Sequence, residues 1–334
     1  MNLNKRNYPP EHGIRLPAEK MKELIIGLFE KVGMPREDAE LLGGILAAND
    51  RRCLFSHGTR QIPYYLQKIK DGAVNPRPQI SVVSEAPAAL VMDGDGGLGY
   101  FPCYRGTEAI IAKAKAGGVA ALTTRNHQHF GAASNYTRLA LAHDCIALST
   151  SGSGPLLKPE NMIFDIVNTS PFSIAVPAAE QPPLVMDMGG RLMNFEEELF
   201  ERLPTPFFKT MALNSAVRAL GSIFAGVYKP EIQPPRSPWE STQGAFITVV
   251  DVAHFMPVDE LKREMDRFIG AARQAKPLPG MERAELAGGN EWLWDKENRG
   301  KGIPVGDEHQ QVLQKVADEL GVETPFAQCE HTRF

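Results

Sequence analysis

The chain has 334 residues, 43% of them hydrophobic and 23% charged, a balance that supports a sizeable core and argues against disorder. A formal net charge of -4 and a pI near 6.1, with no cluster of Lys and Arg interleaved with aromatics, leave no footprint for nucleic acid. No apolar run approaches the roughly 20 residues of a membrane span, and the polar start MNLNKRNYPPEHGIRL lacks the apolar core of a signal peptide, so a cytoplasmic address is expected.

Met21, Leu24, Ile25, Leu28, Phe29 and Val32 recur at helical spacing, and the Met34-Pro35 break leads into a second helix through Leu42, Ile45 and Leu46. Next comes RCLFSHGTRQIPYY, with Ser56 and His57 adjacent at the loop after that helix. A histidine can carry a proton near neutral pH, and a neighbouring hydroxyl can hold its tautomer or a substrate oxygen. The same dipeptide also serves as a turn hydroxyl beside a surface imidazole. In VMDGDGGLGYF, Gly94, Gly96 and Gly99 meet the G-x-G-x-x-G spacing. A dinucleotide turn also needs a helix opening at its last glycine and an acidic residue roughly 20 positions on. Here the helix is expected only after Pro102, and Ala109 to His143 contains no Asp or Glu, so the glycines read as a tight bend with close packing.

Short apolar runs then dominate from Ile80 to Val250. AALVM, GVAALTT, IALST, FSIAVP, LVMD and AFITVV predict strands, with helices at Tyr104 to Lys115, Tyr136 to His143 and Lys209 to Phe224. That alternation predicts an α/β sheet. Amphipathic stretches at Leu261 to Ala272 and Glu308 to Leu320 predict two closing helices packed back on the first lobe, and YKPEIQPPRSPW reads as a surface loop. The expected organisation is a helical lobe over 1–78, an α/β domain over 79–257 and C-terminal helices over 258–334. In TTRNHQHFGAASNY, a strand persisting that far would point His127 and His129 to one face. No carboxylate or thiol lies nearby in sequence to complete a metal site, so a cofactor or substrate contact at the strand end is expected instead of a metal. STSGSGP, Ser149 to Pro155, offers hydroxyls and glycine amides to an amide or phosphate, or makes a plain turn. Cys53, Cys103, Cys145 and Cys329 are far apart and read as reduced thiols.

Taken in order, these stretches resemble the malate/L-lactate dehydrogenase family, which also includes ureidoglycolate, sulfolactate, diketogulonate and piperideine-carboxylate oxidoreductases. The resemblance is carried by SHG with Pro63 and Tyr65, the run from Leu66 to the NPRP ending at Pro78, GDGGLG, HFGAA, TSP, VMDM, QGAF and GIPV, across nearly the whole chain. It implies a non-Rossmann α/β fold, a mixed sheet flanked by helices with a helical lobe from both terminal segments. It also implies a homodimer and NAD(P)-dependent oxidation or reduction of a small 2-hydroxy/2-oxo or imino acid. By the same resemblance His57 is the acid/base, Ser56 and Asp187 orient it, and His129 lies by the nicotinamide and is a second proton-transfer candidate. Gly131, Thr150, Ser151 and Lys209 are implied cofactor contacts. Arg60, Gln61 and Thr169 are candidates for the substrate.

The departures from the family pattern fall at the site. Phe55 and Gln61 stand where the family has an Asp before the Ser and an Arg that grips a carboxylate, and Gln128 replaces the Asn of NHFG. After Asp187 the chain runs MGGRLMNFEEELFERLPTPFFKTM, a shorter excursion in which Lys209 remains from a glycine-rich motif and Phe207 and Phe208 replace small residues. An alternative therefore stands beside the dehydrogenase: a member that has lost the nicotinamide and acts as a lyase, an isomerase or a non-catalytic binding protein.

Overall fold

The computed structural model describes residues 7–154, 157–167, 171–227, 239, 241 and 243–334. Thr169, Pro155 and all but Trp239 of the proline-rich loop lie outside the described residues. The chain divides into two compact units, 1–77 with 272–334, and 78–271.

The first unit is helical with one small sheet. Strand β1 (Gly13–Leu16) pairs antiparallel with β9 (Ile303–Gly306), and Ile14, Leu16, Ile303 and Val305 are all buried. Four residues per strand are too few for an alternation to show in the sequence, and neither strand was expected. Helices α1 (Ala18–Lys31) and α2 (Arg36–Arg51) start directly after Pro17 and Pro35, whose fixed φ suits the entry to a helix. Their apolar stripes, Met21, Leu24, Ile25 and Leu28 against Leu42, Ile45 and Leu46, form the core of the unit. Helix α3 (Ile62–Lys70), α9 (Gly289–Lys301) and α10 (Asp307–Leu320) complete it. Arg51 ion-pairs with Asp295 at 2.5 Å, and Asn298 donates to the Arg51 carbonyl at 2.8 Å, which ties α9 to the end of α2.

The second unit contains β2 (Ser81–Ala86), β3 (Ala89–Asp93), α4 (Tyr100–Gly117), β4 (Val119–His127), α5 (Ser134–Leu141), β5 (Cys145–Ser153), β6 (Pro171–Val176) and β7 (Leu184–Gly189). Then follow α6 (Glu197–Arg202), α7 (Pro204–Arg218) with a wider helical turn at Ala219–Phe224, β8 (Gln243–Asp251) and α8 (Val258–Gln274). The strands form one sheet in the order β2-β3-β4-β8-β5-β6-β7, in which only β3 and β4 are parallel. This is the mixed, non-Rossmann sheet the resemblance implies; a doubly wound dinucleotide fold is mostly parallel. Ile110, Ile111 and Ala114 of α4 and Tyr136 and Ala140 of α5 pack on Leu90, Leu122, Ile247 and Val249 as one apolar layer. Phe224 meets Phe246 of β8 edge to face, with ring centroids 5.6 Å apart. A separate aromatic cluster joins Phe207 to Phe164, Phe195 and Phe200 at 5.4 to 5.8 Å. No helix among the described residues is long and apolar enough to cross a membrane.

Two expectations are corrected. Helix α4 opens at Tyr100, immediately after Gly99, because Pro102 falls in its first turn, where a missing N–H costs nothing. The C-terminal segment also does not pack as one piece on the first lobe: α8 belongs to the sheet unit up to residue 271. Asp266 of that helix accepts the backbone N–H groups of Ala179, Glu180 and Gln181 at 3.0, 2.9 and 3.0 Å, and Lys262 ion-pairs with Asp144. Burial pushes the Asp266 carboxyl up, but the three amides outweigh it and hold it below the ordinary range. Asp266→Ala returns these three amides to water and is expected to cost about 1 kcal/mol, read as a lower urea midpoint at unchanged slope.

Candidate active site

The Ser56-His57 pair sits where α2 has ended and α3 has not begun. Cys53 adopts a left-handed φ of 58°, which turns the chain into two short 3-10 turns, Phe55–His57 and Thr59–Gln61. Ser56 is buried and His57 half-buried. The Ser56 Oγ lies 2.9 Å from His57 Nδ1 and accepts from Asn7 Nδ2 at 3.1 Å, while the Ser56 N–H donates to Asn7 Oδ1 at 3.0 Å. With Asn7 on one lone pair, the hydroxyl can still donate to a bare Nδ1 or accept from a protonated one. Accepting from Nδ1–H, Ser56 holds the tautomer in which a proton is exchanged at Nε2. The His57 carbonyl accepts from Asn49 Nδ2 at 2.9 Å. Gln61 turns its amide onto the Ser56 carbonyl at 2.6 Å, and exposed Arg60 places its guanidinium over the Phe55 ring, 5.4 Å from its centroid.

Beneath the loop lies a polar chain that the sequence reading missed. Asp50, fully buried at the end of α2, accepts the Thr59 N–H at 3.1 Å on Oδ1 and the Thr59 hydroxyl on Oδ2. The same hydroxyl is 2.9 Å from Nε2 of buried His309 on α10. A Cβ on Gly58 would collide with Asp50 Oδ1, so only glycine lets the carboxylate this close. The signal was present: Asn49 and Asp50 continue the Leu42, Ile45, Leu46 stripe at seven and eight residues, and His309 precedes Leu313 and Val316 on one face.

In the second unit the glycine turn joins β3 to α4, yet it is not a phosphate cradle. The N–H groups of Gly94, Gly96, Gly97 and Gly99 already bond to the carbonyls of Arg125, Asn126, Gly94 and His129. Asp93, buried beside them, accepts from the Asp95 N–H and Asn126 Nδ2 and would repel a phosphate. Gly96 has a φ of 68°, and a Cβ on Gly99 would lie 2.5 Å from His127 Nδ1. The glycines serve conformation and packing.

His127 and His129 do not share a strand face. Asn126 takes a φ of 51°, the register shifts, and β4 stops at His127. His127 is fully buried, with Nδ1 donating to the Gln128 carbonyl at 2.8 Å and Nε2 accepting from Thr124 Oγ1 at 2.9 Å. His129 is half-buried in the following loop. Gly131, at φ 78°, has the Tyr100 hydroxyl where a Cβ would stand. No group of His, Cys, Asp and Glu among the described residues is arranged to hold a metal ion.

Asp187 of β7 stands at the start of α5, where its Oδ2 accepts the Ser134 N–H at 3.1 Å. Register sets Asp187 beside Ser173 and Ser173 beside Ser149, one row across three strands under α5, with Thr137 Oγ1 2.8 Å from Ser173 Oγ. In and near this row the side-chain atoms Ser149 Oγ, Ser134 Oγ and Asn135 Nδ2 are buried without a hydrogen-bond partner. Such groups fit a ligand bearing an amide and hydroxyls. Thr150 and Ser151 instead donate to the carbonyls of Pro171 and Gly244, both at 2.8 Å, which leaves only their lone pairs. Lys209 is exposed on α7.

The sequence pattern of the malate/L-lactate dehydrogenase family matches residues 16–191, more than half of the chain. Malate dehydrogenase of Pyrococcus horikoshii is 28% identical over 95% of this chain and 99% of its own length. L-sulfolactate dehydrogenase of Methanocaldococcus jannaschii is 28% identical over 92% and 97%. Ureidoglycolate dehydrogenase (NAD(+)) of Escherichia coli K12 is 26% identical over 52% and 50%. The solved Pyrococcus horikoshii structure matches with a TM-score of 0.80, covering 95% of this chain and 98% of that one.

Burial pushes the His127 imidazole down to about 4, against the opposing pull of the Gln128 carbonyl and Asp93. Between the unfolded value near 6.5 and that folded value, the unfolded chain binds the extra proton. This contribution to stability is therefore complete above pH 6.5 and falls by about 1.4 kcal/mol per unit as pH drops towards 4. Urea unfolding at pH 7 and pH 5 is expected to show a larger loss for the wild-type chain than for His127→Gln.

Proposed function

The chain belongs to the malate/L-lactate dehydrogenase family, and on that premise we propose that it is an NAD(P)-dependent oxidoreductase of a small 2-hydroxy/2-oxo or imino acid, with His57 as the proton carrier. The observation that carries this reading is the Ser56 hydroxyl held 2.9 Å from His57 Nδ1 by Asn7, which suits an imidazole that alternates between two protonation states at Nε2. A nicotinamide, NAD or NADP, supplies or takes up the hydride when bound. Of this chain's groups, His129 and the unpartnered Ser134 Oγ and Asn135 Nδ2 are those that would hold its ring and amide, with Lys209 as a candidate for its anionic part. When the substrate is reduced, His57 gives the Nε2 proton to the oxygen or nitrogen of the carbon that receives hydride; in the oxidising direction it takes that proton back. Asp187 is assigned, with Ser56, to orienting this chemistry. Gln61 is engaged with the Ser56 carbonyl, so Arg60 is the cation assigned to the substrate's acid group, and Thr169 remains a candidate contact. A homodimer is part of the same reading, checked by light scattering on the purified chain.

A second reading is favoured by one observation: Phe207 is buried in a packed aromatic cluster with Phe164, Phe195 and Phe200, where the family has small residues beside the cofactor. On that reading the site works without nicotinamide, as a lyase, an isomerase or a binding protein. Calorimetric titration with NADH and NADPH separates the two. Micromolar binding of either supports the dehydrogenase, and no binding of either supports the cofactor-free site.

Given a substrate, His57→Ala is expected to lower kcat by about 10²–10⁴-fold with an unchanged circular dichroism spectrum. Near-normal turnover would remove His57 from the proton-transfer role. Asp187→Asn is expected to lower activity and displace its pH profile, and an unchanged profile would remove Asp187 from the site.

A further inference from the structure

The buried chain Asp50, Thr59, His309 has no part in the proton transfer proposed above, and it lies directly under the loop that carries out that transfer. Asp50 reaches that loop through two residues. It holds the Thr59 N–H and hydroxyl, and it fills the space that a Cβ on Gly58 would take, one residue from His57. Its neighbour Asn49 holds the His57 carbonyl. We propose that Asp50 is a positioning residue for His57: its buried carboxylate fixes the loop and, as an anion, favours the protonated imidazole. The proposal rests on the reading of His57 as the proton carrier only for its catalytic consequence.

The chain can be satisfied in both ionisation states of Asp50. With Asp50 ionised, the Thr59 hydroxyl donates to it and His309 donates Nε2–H to Thr59. With Asp50 protonated, the direction reverses: Asp50 donates to Thr59, and Thr59 donates to a bare Nε2. The Thr59 hydroxyl is paired on both sides in either state, and in the second state neutral His309 carries its proton on Nδ1. The groups facing Asp50 are Thr59 and Arg60 from the second 3-10 turn, Cys53 from the loop, and His309 through Thr59. Arg15 of β1 and Glu297 of α9 act on Cys53. Burial raises the Asp50 carboxyl to about 7, against Thr59 and Arg60, which lower it, and burial with Arg60 holds His309 neutral. The Asp50 charge thus changes near neutral pH.

Asp50→Asn can keep the hydrogen bonds to Thr59 of the second arrangement while removing the charge, and it adds one buried N–H. In the full chain labelled with ¹⁵N-histidine, with the His57 signal assigned through His57→Gln, the titration midpoint of His57 is expected to fall by about one pH unit in Asp50→Asn. Thr59→Val, which removes the hydroxyl that stabilises the ionised carboxylate, is expected to shift it the same way. With a substrate in hand, the pH limb of kcat moves by the same amount while KM changes little. A shifted His57 signal with an unmoved kcat profile would uphold the coupling and sink the catalytic reading of His57. An unshifted midpoint in Asp50→Asn overturns the proposal. If the variants do not fold, the wild-type chain decides: the carboxyl signal of Asp50 is titrated beside that of His57, and a His57 signal that does not respond where Asp50 changes charge overturns the proposal.

Discussion

The last turn of α2 decides where His57 can be. Asn49 holds the carbonyl of His57, and Asp50 holds the amide and hydroxyl of Thr59, so two adjacent side chains on one rigid helix grip the loop on both sides of Gly58. Asn7 and Gln61 bind the backbone of Ser56 from outside that helix. An offset of about 1 Å in this grip would carry the imidazole away from any substrate position fixed elsewhere, and proton transfer tolerates little such offset. The loop is irregular in its backbone and yet over-determined by side chains.

The glycine turn shows the opposite relation between motif and structure. Its spacing, the preceding strand and the following helix all meet the pattern of a dinucleotide turn, including a helix that begins right after Gly99. What distinguishes it is where the N–H groups go. In a phosphate-binding turn they face the ligand; here four of them bond to backbone carbonyls, three of those belonging to the end of β4 and the loop after it. The missing acidic residue in the sequence pointed the same way for a different reason, because a turn with no phosphate needs no ribose partner.

The strands β3 to β8 were legible because each is an apolar run bounded by polar or glycine residues, and several helices because their stripes recur at 3.6 residues. The strands β1 and β9 were not, since four residues carry no period, and β2 is exposed along its whole length and so lacks alternation. At the site, Ser56 and His57 were legible as a pair and were found hydrogen-bonded. The supposed partnership of His127 with His129 failed at Asn126, whose left-handed backbone no periodicity argument detects. Thr150 and Ser151 read as ligand donors because hydroxyls at a strand end often are; the cross-strand carbonyls that take their protons are 21 and 93 residues away.

Asp50 also bears on why the site is arranged around polar groups at all. A carboxylate this deep loses its hydration, and the rise of its proton affinity to about 7 records that loss, incompletely offset by Thr59 and Arg60. His309 is displaced in the other direction, down to about 3. Their effects on stability oppose each other: Asp50 favours the folded chain on acidification between about 4 and 7, whereas His309 disfavours it below about 6.5. For stability alone, an apolar trio of similar volume would serve as well and without either penalty. What an apolar trio cannot do is hold an amide, a hydroxyl and a close approach to Gly58 at one point next to a histidine. The polar chain is therefore accounted for by the position and charge it imposes on His57, not by the energy it adds to the lobe.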